Sequence, residues 1–178
     1  SKKSDDSQEG TYILKMNNVY PIIDDILDDN DIDRITLDEK EIEKYKVNKN
    51  DILINRTNSL ELVGKTGVFK KECDAVYASY LMKATCKEDF SPEYLSFFMN
   101  LSSTKNILRG MAEQSNGQYN INFEKVKKLV VKYPKNKDIL KKCIEEFEKY
   151  CSSMKSVGYL SDILDKEIES MFNNYMVE

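Results

Sequence analysis

The sequence predicts an α+β chain: a mixed-sheet domain over residues 1–135, followed by a long C-terminal coiled-coil helix over residues 136–178. Three observations carry that reading. Up to Pro134, short runs rich in β-branched and aromatic residues alternate with segments of helical pattern. Beyond it, apolar residues recur at 3-4 spacing with charged residues between them. A 40% apolar fraction, including 7 Phe and 11 Tyr, suffices to build the core of one domain in 178 residues.

Taken in order, residues 1–10 (SKKSDDSQEG) are polar and predict a terminal loop. TYILKMNNVY (11–20) reads as a strand rich in β-formers. From Asp24 to Asp33, seven of ten residues are Asp or Asn, which favours turns. An EF-hand loop fails there, because neither Asp24 nor Asp28 is followed by Gly at the sixth position and Glu at the twelfth. Leu37 to Tyr45 predicts a short helix with Asp38, Glu39, Glu41 and Glu43 outward. Asn50-Asp51 turns the chain into strand DILI (51–54), and VGKTGVFKK (63–71) and AVYASYLMKAT (75–85) read as strands of a half-buried sheet. Ser91-Pro92-Glu93 supplies an N-cap and a first-turn proline for a helix through YLSFFMNL. A second helix is expected from Ser103 to about Ala112, then a short helix and a strand within 120–134, stopped by Pro134.

The last segment differs in kind. Leu140, Cys143, Phe147, Tyr150, Met154, Val157, Ser161, Leu164, Ile168, Met171 and Tyr175 form one seam, apolar at ten of the eleven positions. A helix of that length spans roughly 55–60 Å, more than a small domain covers, so it predicts a partner helix. Gly158 should weaken or bend it by about 1 kcal/mol. The competing expectation is a helix folded back along its own domain.

Composition excludes several chemistries. With no histidine, Ser-His-Asp and Cys-His nucleophilic sites and His-ligated metals have no basis. Gly64-Lys65-Thr66 lacks the phosphate-loop glycine five residues earlier, where Ser59 stands. Cys73, Cys86, Cys143 and Cys151 show no CxxC spacing and read as reduced thiols of a cytoplasmic protein. No apolar run approaches the roughly 18 residues of a membrane span, and no secretory signal is apparent. Net charge is −4, but residues 50–135 hold 13 basic and 9 acidic side chains while both flanks are net acidic. A local basic face is what phosphate neutralisation needs.

That basic segment contains DILINRTNSLELVGKTGVF (51–69) and QSNGQYNIN (114–122). Together with TYILKMNNV, AVYASYLMKA, SPEYLSFFMNL and GQYNINFEKVKKLVVKYP in the same order, they resemble the target-recognition domain of type I restriction-modification specificity subunits, with its conserved spacer helix. The chain resembles one half-unit of such a subunit. Asn50 stands where the family usually has Gly, and Asn tolerates positive φ. Lys135-Asn136-Lys137-Asp138 replaces the family's second proline and Glu-Gln pair.

The resemblance implies a non-catalytic specificity subunit or half-subunit that binds double-stranded DNA. It would direct a DNA methyltransferase subunit and a restriction subunit to a target, with S-adenosylmethionine and ATP bound by those partners and no cofactor in this chain. Arg56, Asn58, Ser59, Asn116, Gln118 and Asn120 are candidate DNA contacts of the signature segments, and Lys65, Lys70, Lys105 and Arg109 candidate phosphate contacts. Because signature residues are common to recognition domains of different specificity, they also suit fold-fixing or backbone-gripping roles. Leu140, Phe147, Tyr150, Met154, Val157, Leu164, Ile168 and Met171 are candidates for helix pairing, in a homodimer or with a second recognition unit. The alternative is a coiled-coil interaction module whose recognition domain no longer binds DNA.

Overall fold

The computed structural model describes residues 10–24 and 32–155, together with Ser170 and Asn173. Its centre is a mixed sheet of β2 (Ile22–Ile23), β7 (Thr66–Phe69), β5 (Asp51–Asn55) and β9 (Leu81–Thr85), in that order. β2 runs parallel to β7, and the other pairs are antiparallel. A strand buried on both faces reads as a continuous apolar run, and β5 does so because alternate residues serve different cores. Ile52 and Ile54 point toward the helices, whereas Leu53 points the other way.

The second layer is a sheet of β3 (Arg34–Ile35), β1 (Thr11–Leu14), β8 (Ala75–Tyr77) and β4 (Lys46–Val47). Leu14, Val47 and Ala75 close one core against Leu53, Phe69 and Leu81. The opposite face is covered by α2 (Pro92–Asn100), α3 (Ser102–Met111) and α5 (Lys137–Lys155). α2 begins where the sequence places it: the Ser91 hydroxyl caps the Tyr94 N–H at 3.1 Å. Its buried face, Tyr94, Phe97 and Phe98, has helical spacing. Two polar ties fix it to the sheet, Ser96 Oγ to the Pro21 carbonyl and Asn100 Nδ2 to the Thr66 carbonyl.

Several expected elements are shorter or divided. The strand over 11–20 ends at Leu14, and a 3-10 turn covers Met16–Asn18. Residues 75–85 form two strands, β8 and β9, joined by a turn at 79–80. α1 (Glu39–Tyr45) is capped by Asp38, whose carboxylate accepts from the Glu41 N–H at 2.8 Å. Asn50 adopts φ +73, as a residue in a glycine position must. The strand expected before Pro134 is absent: α4 (Phe123–Val126) is followed by a turn at 127–128 and then by irregular chain without ladder partners. Side chains hold that stretch instead, with Tyr94 donating to the Lys132 carbonyl at 2.7 Å and Tyr133 stacking on Phe90 at 4.2 Å.

The C-terminal seam also departs from the sequence expectation. Cys143, Phe147 and Tyr150 are buried in the helical core of their own domain, and Leu140 packs against it. Phe147 meets Phe97 edge-on at 5.3 Å. The aromatic face of α2 gives the first turns of the helix an apolar surface within the chain, which periodicity alone does not reveal. The side chain of Met154 lies outside the described residues, as do Val157, Leu164, Ile168, Met171, and residues 25–31 of the acidic stretch.

Candidate nucleic-acid interface

The two signature segments, separated by about fifty residues in sequence, meet in a three-stranded antiparallel sheet. β6 (Thr57–Asn58) pairs with β11 (Gln118–Asn120), which pairs with β10 (Glu113–Ser115). Tyr119 lies opposite Asn58 and Asn120 opposite Thr57. The Ile121 N–H donates to the Arg56 carbonyl at 2.9 Å, and Thr57 Oγ1 donates to Asn120 Oδ1 at 2.7 Å. Between β10 and β11 lies a two-residue turn, Asn116 at φ +52 and Gly117 at φ +76. Positive φ at both positions is the type I′ geometry that matches strand twist in tight hairpins, and Asn-Gly is its preferred sequence. The polar signature segment over 114–120 is therefore part of a hairpin.

The loop from β6 to β7 is the second component. Its first turn is closed by Leu62 and Val63 N–H groups donating to the Ser59 carbonyl at 3.2 and 2.9 Å. Gly64 ends it at φ +80 against α3, where an added Cβ would come within 3.0 Å of Leu108. Arg109 ties the same loop down from α3, donating from Nη2 to the Glu61 carbonyl at 3.1 Å. Its Nε is buried and has no partner. Arg109 is thereby a positioning residue as much as a surface cation.

Lys65 lies at the start of β7, half-buried, with its ammonium 4.8 Å from the Tyr20 ring centre. Burial lowers its pKa from the ordinary lysine value, and the neighbouring charge of Lys105 lowers it further. An anion beside the partly desolvated Lys65 would relieve both effects. Tyr20 is the neighbour of Lys65 that sequence reading missed, since nothing in the sequence marks an aromatic forty-five residues upstream as its support.

The remaining candidates divide by the use of their polar atoms. Asn58 accepts from the Ser59 N–H at 2.8 Å and donates to Met16 Sδ at 3.3 Å, and Asn120 is tied to Thr57. Both carboxamides already have hydrogen-bond partners within the chain. Lys70 stands at the far end of β7, roughly 17 Å from Lys65 at strand spacing. There it forms an ion pair with Glu93 and donates to Asn50 Oδ1 at 2.9 Å, which joins β7 to α2. It does not belong to the cluster. Arg56, Ser59, Asn116 and Gln118 are exposed. The arrangement presents a polar ribbon beside a group of cations, and it contains no metal-binding cluster of Cys, Asp or Glu among the described residues.

No family model matches the chain. Over 141 residues, 78% of its length, it is 31% identical to the type I restriction enzyme EcoKI specificity subunit of Escherichia coli K12. Over 133 residues, 74% of its length, it is 25% identical to a provisionally named type I restriction enzyme MjaX specificity subunit of Methanocaldococcus jannaschii. These matches span 30% and 29% of the two relatives, so the chain covers under a third of the curated proteins it resembles. Over that shared part, the chain belongs to the type I restriction enzyme specificity subunit family.

Proposed function

We propose that this chain is a DNA target-recognition unit that positions chemistry performed by other subunits. One observation carries the reading: both signature segments are hydrogen-bonded into a single partly exposed sheet, next in the chain to Arg56 and one strand away from Lys65. Duplex DNA presents a line of phosphates, and a local cationic group binds them by releasing condensed counterions. The partners would be a methyltransferase subunit using S-adenosylmethionine and a restriction subunit using ATP, in a cytoplasmic complex. No described helix is long and apolar enough to cross a membrane.

A salt titration tests the reading. The isolated chain should bind duplex DNA weakly with a shallow log-log salt slope, and the slope should steepen in the presence of the methyltransferase. A slope near zero in both states would refute it and leave the interaction-module alternative. Arg56→Ala and Lys65→Met should each weaken all sequences about equally and flatten the slope by about one. Lys65→Met carries a second signature: removing a desolvated charge beside Lys105 should raise the unfolding midpoint while DNA affinity falls. Parallel losses of stability and affinity would instead assign Lys65 a structural role.

Helix pairing belongs to the same proposal, with its seam now assigned to Met154, Val157, Leu164, Ile168 and Met171, since Leu140, Phe147 and Tyr150 face the domain. Burying Leu164 in a partner seam should contribute about 1.5–3 kcal/mol, and a charge there would be desolvated without compensation. Leu164→Asp should therefore abolish concentration-dependent association in sedimentation while the domain stays folded. A wild-type chain that sediments as a monomer at every concentration would refute self-pairing.

A further inference from the structure

We propose that residues 129–133 form an open strand edge that takes up an extended, acidic segment of a partner protein by β-strand addition. This surface is separate from the DNA-recognition reading and does not depend on it. KLVVKY (128–133) has the β-branched and aromatic residues of a strand, yet no ladder partner lies beside it. Its burial alternates with the period of two that extended chain imposes. Leu129, Val131 and Tyr133 pack against the helical core, while Val130 and Lys132 face out. Among the described residues, the N–H groups of Val130, Val131, Lys132 and Tyr133 donate to no backbone carbonyl. Such a row is a ready template for a further strand.

One edge of the segment is taken and the other is open. Successive residues of extended chain turn their N–H and C=O groups to opposite edges. The Tyr94 hydroxyl of α2 donates to the Lys132 carbonyl at 2.7 Å, which fixes that edge against the domain. The edge carrying Val131 and Tyr133 is the one left for a partner. Charge and polarity select the occupant. Residues 127–137 hold five lysines and no acidic side chain, and Lys128, Lys132 and Lys135 form no ion pair among the described residues. A second copy of this chain would set lysine against lysine across the ladder, which is destabilising. Duplex phosphates would meet the lysines but leave Val130 in water, at 83% the most exposed large apolar side chain among the described residues. A protein strand with carboxylates on either side of an apolar residue satisfies the lysines, Val130 and the open backbone edge together.

Amide hydrogen exchange on the full chain tests this, with a capped peptide alternating glutamate and valine as the probe. In the free chain the amides of Val131 and Tyr133 should exchange fast, and saturating peptide should slow them by roughly tenfold or more. A lysine–valine peptide should not bind, nor should the glutamate–valine peptide with every backbone nitrogen methylated. Lys132→Glu, at an exposed position, should weaken the acidic peptide by about fivefold with the circular dichroism spectrum unchanged. Protection of these amides before peptide is added, equal binding of the methylated peptide, or no slowing at any peptide concentration overturns strand addition. Protection by duplex DNA but not by the acidic peptide also overturns it, and assigns the lysines to phosphates.

Discussion

Phe147→Ala is expected to destabilise the chain by about 3–5 kcal/mol, the range for truncating a fully buried aromatic. The ring has no solvent exposure and lies between α5 and Phe97 of α2. Its loss removes the central contact by which the long helix joins the domain, leaving a cavity lined by rigid aromatic and cysteine neighbours. Urea denaturation measures the effect, and the cost should not change with protein concentration because the pocket lies within one chain. A cost that grows on dilution would place Phe147 in an intermolecular seam, contrary to the packing described.

Gly67→Ala should be the most damaging small substitution in the domain, at about 3 kcal/mol or somewhat more. A Cβ at this position would lie 1.9 Å from the Tyr20 carbonyl oxygen and 2.9 Å from its carbon. The obstacle is backbone, so no rotamer change relieves it. β2 and the segment before it must move away from β7, disturbing the Val68 N–H bond to the Pro21 carbonyl at 3.1 Å. The Tyr20 ring supports Lys65, so the damage should reach the cationic group as well. Thermal unfolding reads the first effect and the DNA salt slope the second. A variant with wild-type stability would show that β7 and the Tyr20 segment are not so closely packed.

Much of this was legible in the sequence because it depends on local chemistry. Ser91-Pro92 started α2 and Asn50 took the positive φ of a turn, each from interactions spanning a few residues. The apolar runs of β5 and β7 and the helices over 92–111 followed from periodicity. The ordered set of signature segments carried the family resemblance, which the relatives share. The strand expected before Pro134 failed because residues 127–134 are held by Tyr94 and Tyr133, and side-chain tethers leave no periodic trace.

By itself, then, the sequence determined the α+β class, the start of α2, the turn at Asn50, the family and the basic balance of the middle segment. These are properties of short windows or of summed composition. Only the tertiary structure decided that residues 57–58 and 118–120 form one sheet, that Asn58 and Asn120 hydrogen-bond within the chain, and that Lys70 is remote from Lys65. It likewise decided that Phe147 faces its own domain and not a second helix. The reason is common to all four. An apolar stripe or a polar side chain states in sequence that it needs a partner, while the partner's identity depends on which surfaces the completed fold brings within a few ångströms.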